Sequence, residues 1–167
     1  MPEHRQPLSR SVILMGVCGC GKSTVGKLLA QRSGAKFFDG DDFHPAENIA
    51  KMSAGIPLTD DDRAGWLLSL KELLDRENEP IIVACSALKQ SYREVLKQAR
   101  VAPFFIHLDG DRETLLQRLT ARANHFMGAH MLDSQLATLE APDPQSTDSL
   151  IVSIRLSPEE ILNKILA

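Results

Sequence analysis

Residues 16–23 read Gly16-Val17-Cys18-Gly19-Cys20-Gly21-Lys22-Ser23, which fits the pattern G-x4-G-K-[ST]. The apolar run Val12–Met15 precedes it. A helical pattern follows from Gly21, with Val25, Leu28 and Leu29 on one face and Gly34 as its stop. That context gives the motif its meaning. Glycines let the backbone curl so that several N–H groups converge on phosphate oxygens. The start of the helix adds roughly half a positive charge behind them. From there Lys22 can reach the β and γ phosphates of a bound triphosphate, and the Ser23 hydroxyl can ligate Mg²⁺.

Working outward, short apolar runs alternate with amphipathic segments. The runs are Val12–Met15, Lys36–Phe38, Ile81–Cys85, Phe104–Leu108 and Leu150–Ile154. They lack a polar face, as parallel strands buried on both sides do. Between them the spacing predicts helices over about Pro45–Ser53, Asp62–Arg76, Lys89–Gln98 and Asp111–Arg122. Trp66, Leu67, Leu70, Leu73 and Leu74 form the core stripe of the second of these. A last helix opens at Ser157-Pro158-Glu159-Glu160, with an N-cap, a proline at the first position and acids at the positive end of the dipole. Ala123–Met131 is polar and irregular, and Ala141–Asp148 reads as a loop. The chain is thus expected to be one α/β domain over residues 11–167 behind a polar tail, 1–10.

Composition excludes several classes. The chain has 167 residues and a net charge of −3, so no basic field draws it to nucleic acid. Its longest apolar runs are too short to span a bilayer, and the polar N-terminus carries no signal-peptide pattern. Three cysteines, Cys18, Cys20 and Cys85, form no disulfide framework and fit a reducing cytoplasm. Cys18 and Cys20 read first as small residues of the glycine loop. A helix N-terminus can lower a thiol pKa, which leaves redox control as the alternative. Five histidines scattered at positions 4, 44, 107, 125 and 130 give no metal spacing. His107 reads as a satisfied core or sheet-edge residue.

The guanine-reading N-K-x-D pattern of a GTPase is absent, and Asp62-Arg63-Ala64-Gly65 follows no buried strand. A small-molecule kinase fits better. The acidic cluster Asp39-Gly40-Asp41-Asp42 lies at the C-terminal end of the second predicted strand, where open α/β sheets bind ligands. One carboxylate there can hold Mg²⁺, and another can take the proton of an attacking hydroxyl. Arg118 and Arg122, four apart, share a helix face and suit phosphate oxygens. Lys89, Arg93 and Lys97 also recur every four residues, the spacing of a solvated face, with Lys89 set apart by its place near a strand end.

Four segments resemble the gluconokinase family of P-loop kinases: LMGVCGCGKSTV, FFDGDDFHPAENIAKMSAGIPLTDDDRAGWL, ACSALKQSYREVL and RLTARANHFMGAHMLDSQLATLEAP. Together they run from about Ser11 to the C-terminus. Shikimate kinases share the glycine loop and the acidic pair but not the second and third blocks. The resemblance implies a three-layer α/β/α fold, a five-stranded parallel sheet of order 2-3-1-4-5 and a helical lid over about 118–140. It implies transfer from ATP, with Mg²⁺, to D-gluconate, and commonly a homodimer. Gly16, Val17, Cys18, Gly19, Cys20, Gly21, Lys22, Ser23 and Thr24 would hold the nucleotide, with Arg118 and Arg122 beside them. Asp39 would join Ser23 on the metal, and Asp41 would contact the hydroxyls of the acceptor and be the base. His44, Lys51, Arg63, Ser86, Lys89 and His125 would bind the acceptor, and Asp62 would support that pocket. Lys22, Asp41 and Arg122 would carry catalysis. The chain departs from the family in its two loop cysteines, where serine is usual, and in Asn124, where glycine is usual.

Overall fold

The computed structural model describes residues 5–121 and 128–167. Five strands, β1 (Val12–Met15), β2 (Lys36–Asp39), β3 (Ile81–Ala84), β4 (Phe104–Asp109) and β5 (Ser149–Ser153), form one parallel sheet in the order β2-β3-β1-β4-β5. The described helices are α1 (Lys22–Ser33), α2 (Ala46–Ser53), α3 (Asp60–Arg76), α4 (Gln90–Lys97), α5 (Arg112–Ala121), α6 (Gly128–Thr138) and α7 (Pro158–Ile165).

Alternation along the strands sorts the core into two halves. Val12 and Leu14 face Val25 and Leu29 of α1, Leu115 and Leu119 of α5, Leu132 of α6 and Ile161 and Leu162 of α7. Ile13 and Met15 face the leucine stripe of α3 with Trp66, and Tyr92 and Leu96 of α4. The result is the expected three-layer α/β/α architecture. All four residues of β1 are buried, each worth roughly 1.5–3 kcal/mol when removed from water. Parallel register places the C-terminal ends of β1, β2, β3 and β4 on one rim.

Most boundaries differ from the sequence expectation by one or two residues, as helix ends do. The helix α3 is the informative case. It starts at Asp60 rather than Asp62, because Thr59 caps it: the Asp62 N–H donates to Thr59 Oγ1 at 3.1 Å, and the Thr59 N–H donates to Asp62 Oδ2 at 2.9 Å. The cap expected at Ser157 is present and pairs with Glu160 in the same way. A 3₁₀ turn, Gly40–Phe43, follows β2 and was not foreseen; Asp39 Oδ1 caps it by accepting the Asp41 N–H at 3.0 Å.

Two expectations fail, one on burial and one on hydrogen bonding. Arg93 does not lie on a solvated face. It is 5% exposed and donates to Ala87 O, Leu88 O and Glu140 O, because α4 turns that residue toward the loop after α6. His107 is buried but not satisfied: Nδ1 has no partner among the described residues, and β5 covers β4, so β4 is not an edge.

Candidate active site

The glycine loop joins β1 to α1. Gly16 has φ 145°, and a Cβ there would sit 2.8 Å from Cys20 Sγ and 2.9 Å from Leu108 O. Only glycine fits this close approach. Helix α1 has no side-chain cap; Gly21 precedes it with φ 96°. Its first N–H groups are therefore left for a ligand, as anion-binding helix starts require. Lys22 Nζ folds over the loop, donating to Gly16 O at 2.9 Å and Val17 O at 3.2 Å, with Cys20 Sγ at 3.8 Å.

Two clefts open beside this loop. One, of about 350 Å³, runs between Gly19, Gly21 and Thr24 on one wall and Arg118, Leu156, Pro158 and Ile161 on the other. Arg118 is anchored across it by a 2.6 Å bond to Ile154 O. The apolar side chains of this cleft suit a flat aromatic base. The other, of about 400 Å³, is lined by Ser23, Lys27, Phe37, Phe38, Asp39, Asp42 and Phe43. It brings Ser23 and Asp39 to one space. A hydroxyl and a carboxylate are a fitting pair for Mg²⁺, which takes few protein ligands and keeps phosphates and waters for the rest. Among the described residues no group of three or more His, Cys, Asp or Glu offers a metal cage.

The acidic rim is held by the layer beneath it. Gly40 packs so tightly that a Cβ would lie 2.5 Å from Ala84 O. Its own carbonyl accepts the Trp66 indole N–H at 2.7 Å. Trp66 also stacks on His44, with ring centroids 4.2 Å apart. The buried Asn48 amide donates to Asp62 O at 2.9 Å and lies 3.1 Å from His44 Nδ1. An amide nitrogen only donates, so Nδ1 accepts and the proton of the neutral ring sits on Nε2. That nitrogen lies 3.7 Å from Asp41 Oδ1. Burial lowers the His44 pKa, against the pull of Asp41.

Asp41 itself is 79% exposed at the side chain, yet its pKa is raised, first by desolvation and then by the charge of Asp39. Lys22 and His44 act in the opposite direction.

The remaining residues expected on the acceptor side fall into two groups. Lys51 Nζ lies 2.8 Å from both Asp62 oxygens, which ties α2 to α3; this bond and the Thr59 cap hold the Asp62 pKa at about 2. Lys89 Nζ is 3.1 Å from both Asp60 oxygens, and the Tyr92 hydroxyl donates to the same carboxylate. Arg63 Nη1 donates to Tyr92 Oη at 3.2 Å and to Leu58 O at 2.9 Å. Ser86 touches the loop through its backbone, the Gly16 N–H donating to Ser86 O at 3.2 Å. Arg122 and His125, with Asn124, lie outside the described residues.

Set beside known proteins, this arrangement has close relatives. The chain is 46% identical over 147 residues to the thermosensitive gluconokinase of Escherichia coli (strain K12), covering 86% of this chain and 79% of that one. It is 42% identical to a probable gluconokinase of Schizosaccharomyces pombe (strain 972 / ATCC 24843), with 93% and 85% covered. The chain belongs to the gluconokinase family. A crystal structure of a gluconokinase from Sinorhizobium meliloti 1021 matches with a TM-score of 0.85 at 43% identity, over 97% of this chain and 91% of that one. The family model that matches, over residues 18–167, is described as Shikimate kinase, so the chain also belongs to that broader family.

For a gluconokinase, the residues that sequence reasoning left out are instructive. Leu156, Pro158 and Ile161 wall the cleft beside Gly19 and Gly21, yet apolar residues after a strand look like core. Tyr92 and Asn48 position charged partners from other elements. Tyr92 stands three residues after Lys89 on one helix face, a spacing that was available as a signal. Asn48 left none.

Proposed function

We infer that this chain phosphorylates D-gluconate with ATP to give 6-phospho-D-gluconate and ADP. The observation that carries the reading is the cleft shared by Ser23 and Asp39, which sets the acidic rim directly against the nucleotide loop. Family membership names the acceptor.

In this reading the loop amides and Lys22 grip the triphosphate, and the apolar wall at Leu156, Pro158 and Ile161 takes the adenine. Ser23 and Asp39 would hold Mg²⁺, which supplies charge neutralisation on the phosphates. Asp41 accepts the proton of the acceptor's 6-hydroxyl as its oxygen bonds to the γ-phosphorus and the bond to the bridging oxygen breaks. His44 orients that carboxylate. Arg63, Ser86 and Lys89 serve the sugar acid, and Lys51 and Asp62 support their pocket. Arg118 helps hold the nucleotide, Arg122 neutralises charge on the transferring group, and a lid over about 118–140 keeps water out. Residues 11–167 act as one kinase domain. A homodimer and a cytoplasmic location belong to the same proposal; no helix among the described residues is long and apolar enough to cross a membrane.

A coupled ADP-release assay with gluconate, shikimate and nucleoside monophosphates side by side tests it. Turnover is expected with gluconate. Turnover with shikimate or a nucleotide instead, or nucleotide binding with no transfer, overturns the reading.

A further inference from the structure

The helix α6 makes one contact with the glycine loop that the roles above do not use. The Cys18 N–H donates to Gln135 Oε1 at 2.6 Å. Cys18 is the third residue of the motif, and the two before it, Gly16 and Val17, hold the Lys22 ammonium on their carbonyls. Lysine of this motif reaches the β and γ phosphates. Lys22 and Gln135 therefore bracket the same turn of the loop, at the end where the terminal phosphate is carried. A primary amide has one acceptor oxygen and a nitrogen with two donor hydrogens. The oxygen is taken by Cys18. The nitrogen shares its carbon, so it lies beside the same turn of the loop, and among the described residues it has no hydrogen-bond partner.

The helix end that carries Gln135 is firmly held. Five residues on, the Glu140 N–H donates to Leu88 O at 2.7 Å, and Glu140 Oε1 accepts the Gln90 N–H at 2.7 Å. Arg93 donates to Glu140 O at 2.6 Å. Leu88 belongs to the turn between β3 and α4 that bears Ser86 and Lys89, and Gln90 and Arg93 belong to α4 itself. A side chain supported in this way keeps its geometry.

We propose that Gln135 belongs to the nucleotide site and reads the γ-phosphate: Oε1 fixes the loop through Cys18 while the amide NH₂ donates to the terminal phosphate. This makes α6 a sensor that distinguishes a triphosphate from a diphosphate, and it rests on the phosphoryl-transfer reading.

The test compares the full chain with Gln135→Glu and Gln135→Leu, measuring equilibrium affinity for MgATP and MgADP, and turnover with gluconate. Glutamate still accepts from Cys18 but turns a donor into a negative charge beside the phosphate. Gln135→Glu is therefore expected to keep MgADP affinity within about twofold and to lose about tenfold or more in MgATP affinity, with kcat falling as well. Gln135→Leu loses both contacts and weakens both nucleotides. Equal loss of ATP and ADP in the glutamate variant, or unchanged ATP affinity, overturns the proposal and reduces Gln135 to a brace of the loop. If the wild-type chain fails to phosphorylate gluconate while the ATP and ADP affinities still separate, the acceptor assignment falls and the role of Gln135 stands.

Discussion

Asp41 and His44 show how much one side chain depends on the tautomer of its neighbour. Asn48 can only donate to His44 Nδ1, so the ring turns its Nε2 proton toward Asp41. The aspartate thus stands near a neutral ring, 3.7 Å from its Nε2, and its pKa is raised by desolvation and by Asp39. A carboxylate proposed to take a proton gains from a raised pKa. The acid limb of the kcat/KM profile with gluconate is expected above pH 3.8, the ordinary value for this group. The Asp41→Asn variant should lose nearly all transfer while keeping ATP affinity within about twofold, since no loop amide depends on it. Titrating ATP by fluorescence and measuring turnover on one sample checks both halves. A collapse of ATP affinity would place Asp41 on the nucleotide side instead.

At the scale of elements, α3 matters most, because its first turn bears Asp60, Asp62 and Arg63. Thr59→Ala removes one half of its capping box and is expected to cost about 1 kcal/mol. For a domain this size that is a drop of about 2–4 °C in melting temperature, readable by calorimetry. Tyr92→Phe acts elsewhere: it removes the hydroxyl that joins Asp60 to Arg63 and so loosens α4 from the start of α3. KM for gluconate should rise severalfold with ATP affinity unchanged, as expected for loss of bonds worth about 1 kcal/mol; an equal rise in KM for ATP would contradict this. Elements were also where the sequence was most legible. Short apolar runs marked each strand, most plainly β1 and β3, since a strand buried on both faces needs no pattern beyond its hydrophobicity; β2, half-buried, was marked only by Phe37 and Phe38 after Lys36. Ser157 with Glu160 announced α7 through chemistry local to four residues. The start of α3 was misread although its cap is equally local, because three successive aspartates left the first helical position ambiguous. What stayed illegible was set by distant partners. Arg93 looks solvated until Glu140 is brought to it, and Gln135 meets Cys18 from 117 positions away.

Across the whole molecule, two buried histidines link stability to pH. His44 lies against Trp66 of α3, facing Asp41 and Arg63; His107 lies on β4, facing Asp109 and Arg93. Both pKa values are lowered from 6.5, in each case mainly by burial. The unfolded chain therefore binds protons at a pH where the folded chain does not. Stability from these rings is complete above about pH 6.5 and is lost as pH falls through their folded values. Each ring can contribute a slope of up to about 1.4 kcal/mol per pH unit in that window. Asp62 adds a separate window. Its folded value of about 2 lies below the ordinary 3.8, so its contribution survives mild acid and disappears only as pH drops from about 4 toward 2. Asp41 has the opposite sign, contributing most below 3.8 and losing that contribution as pH rises through its raised value. Urea unfolding from pH 8 to pH 5 should accordingly show a flat region, then a decline that begins near pH 6.5. The His107→Leu variant should show a shallower decline whatever its stability at pH 8, because leucine takes up no proton on unfolding. An equally steep decline in that variant would mean that the ring of His107 is already charged in the folded chain, and that the unpartnered Nδ1 on β4 is matched by a group not yet accounted for.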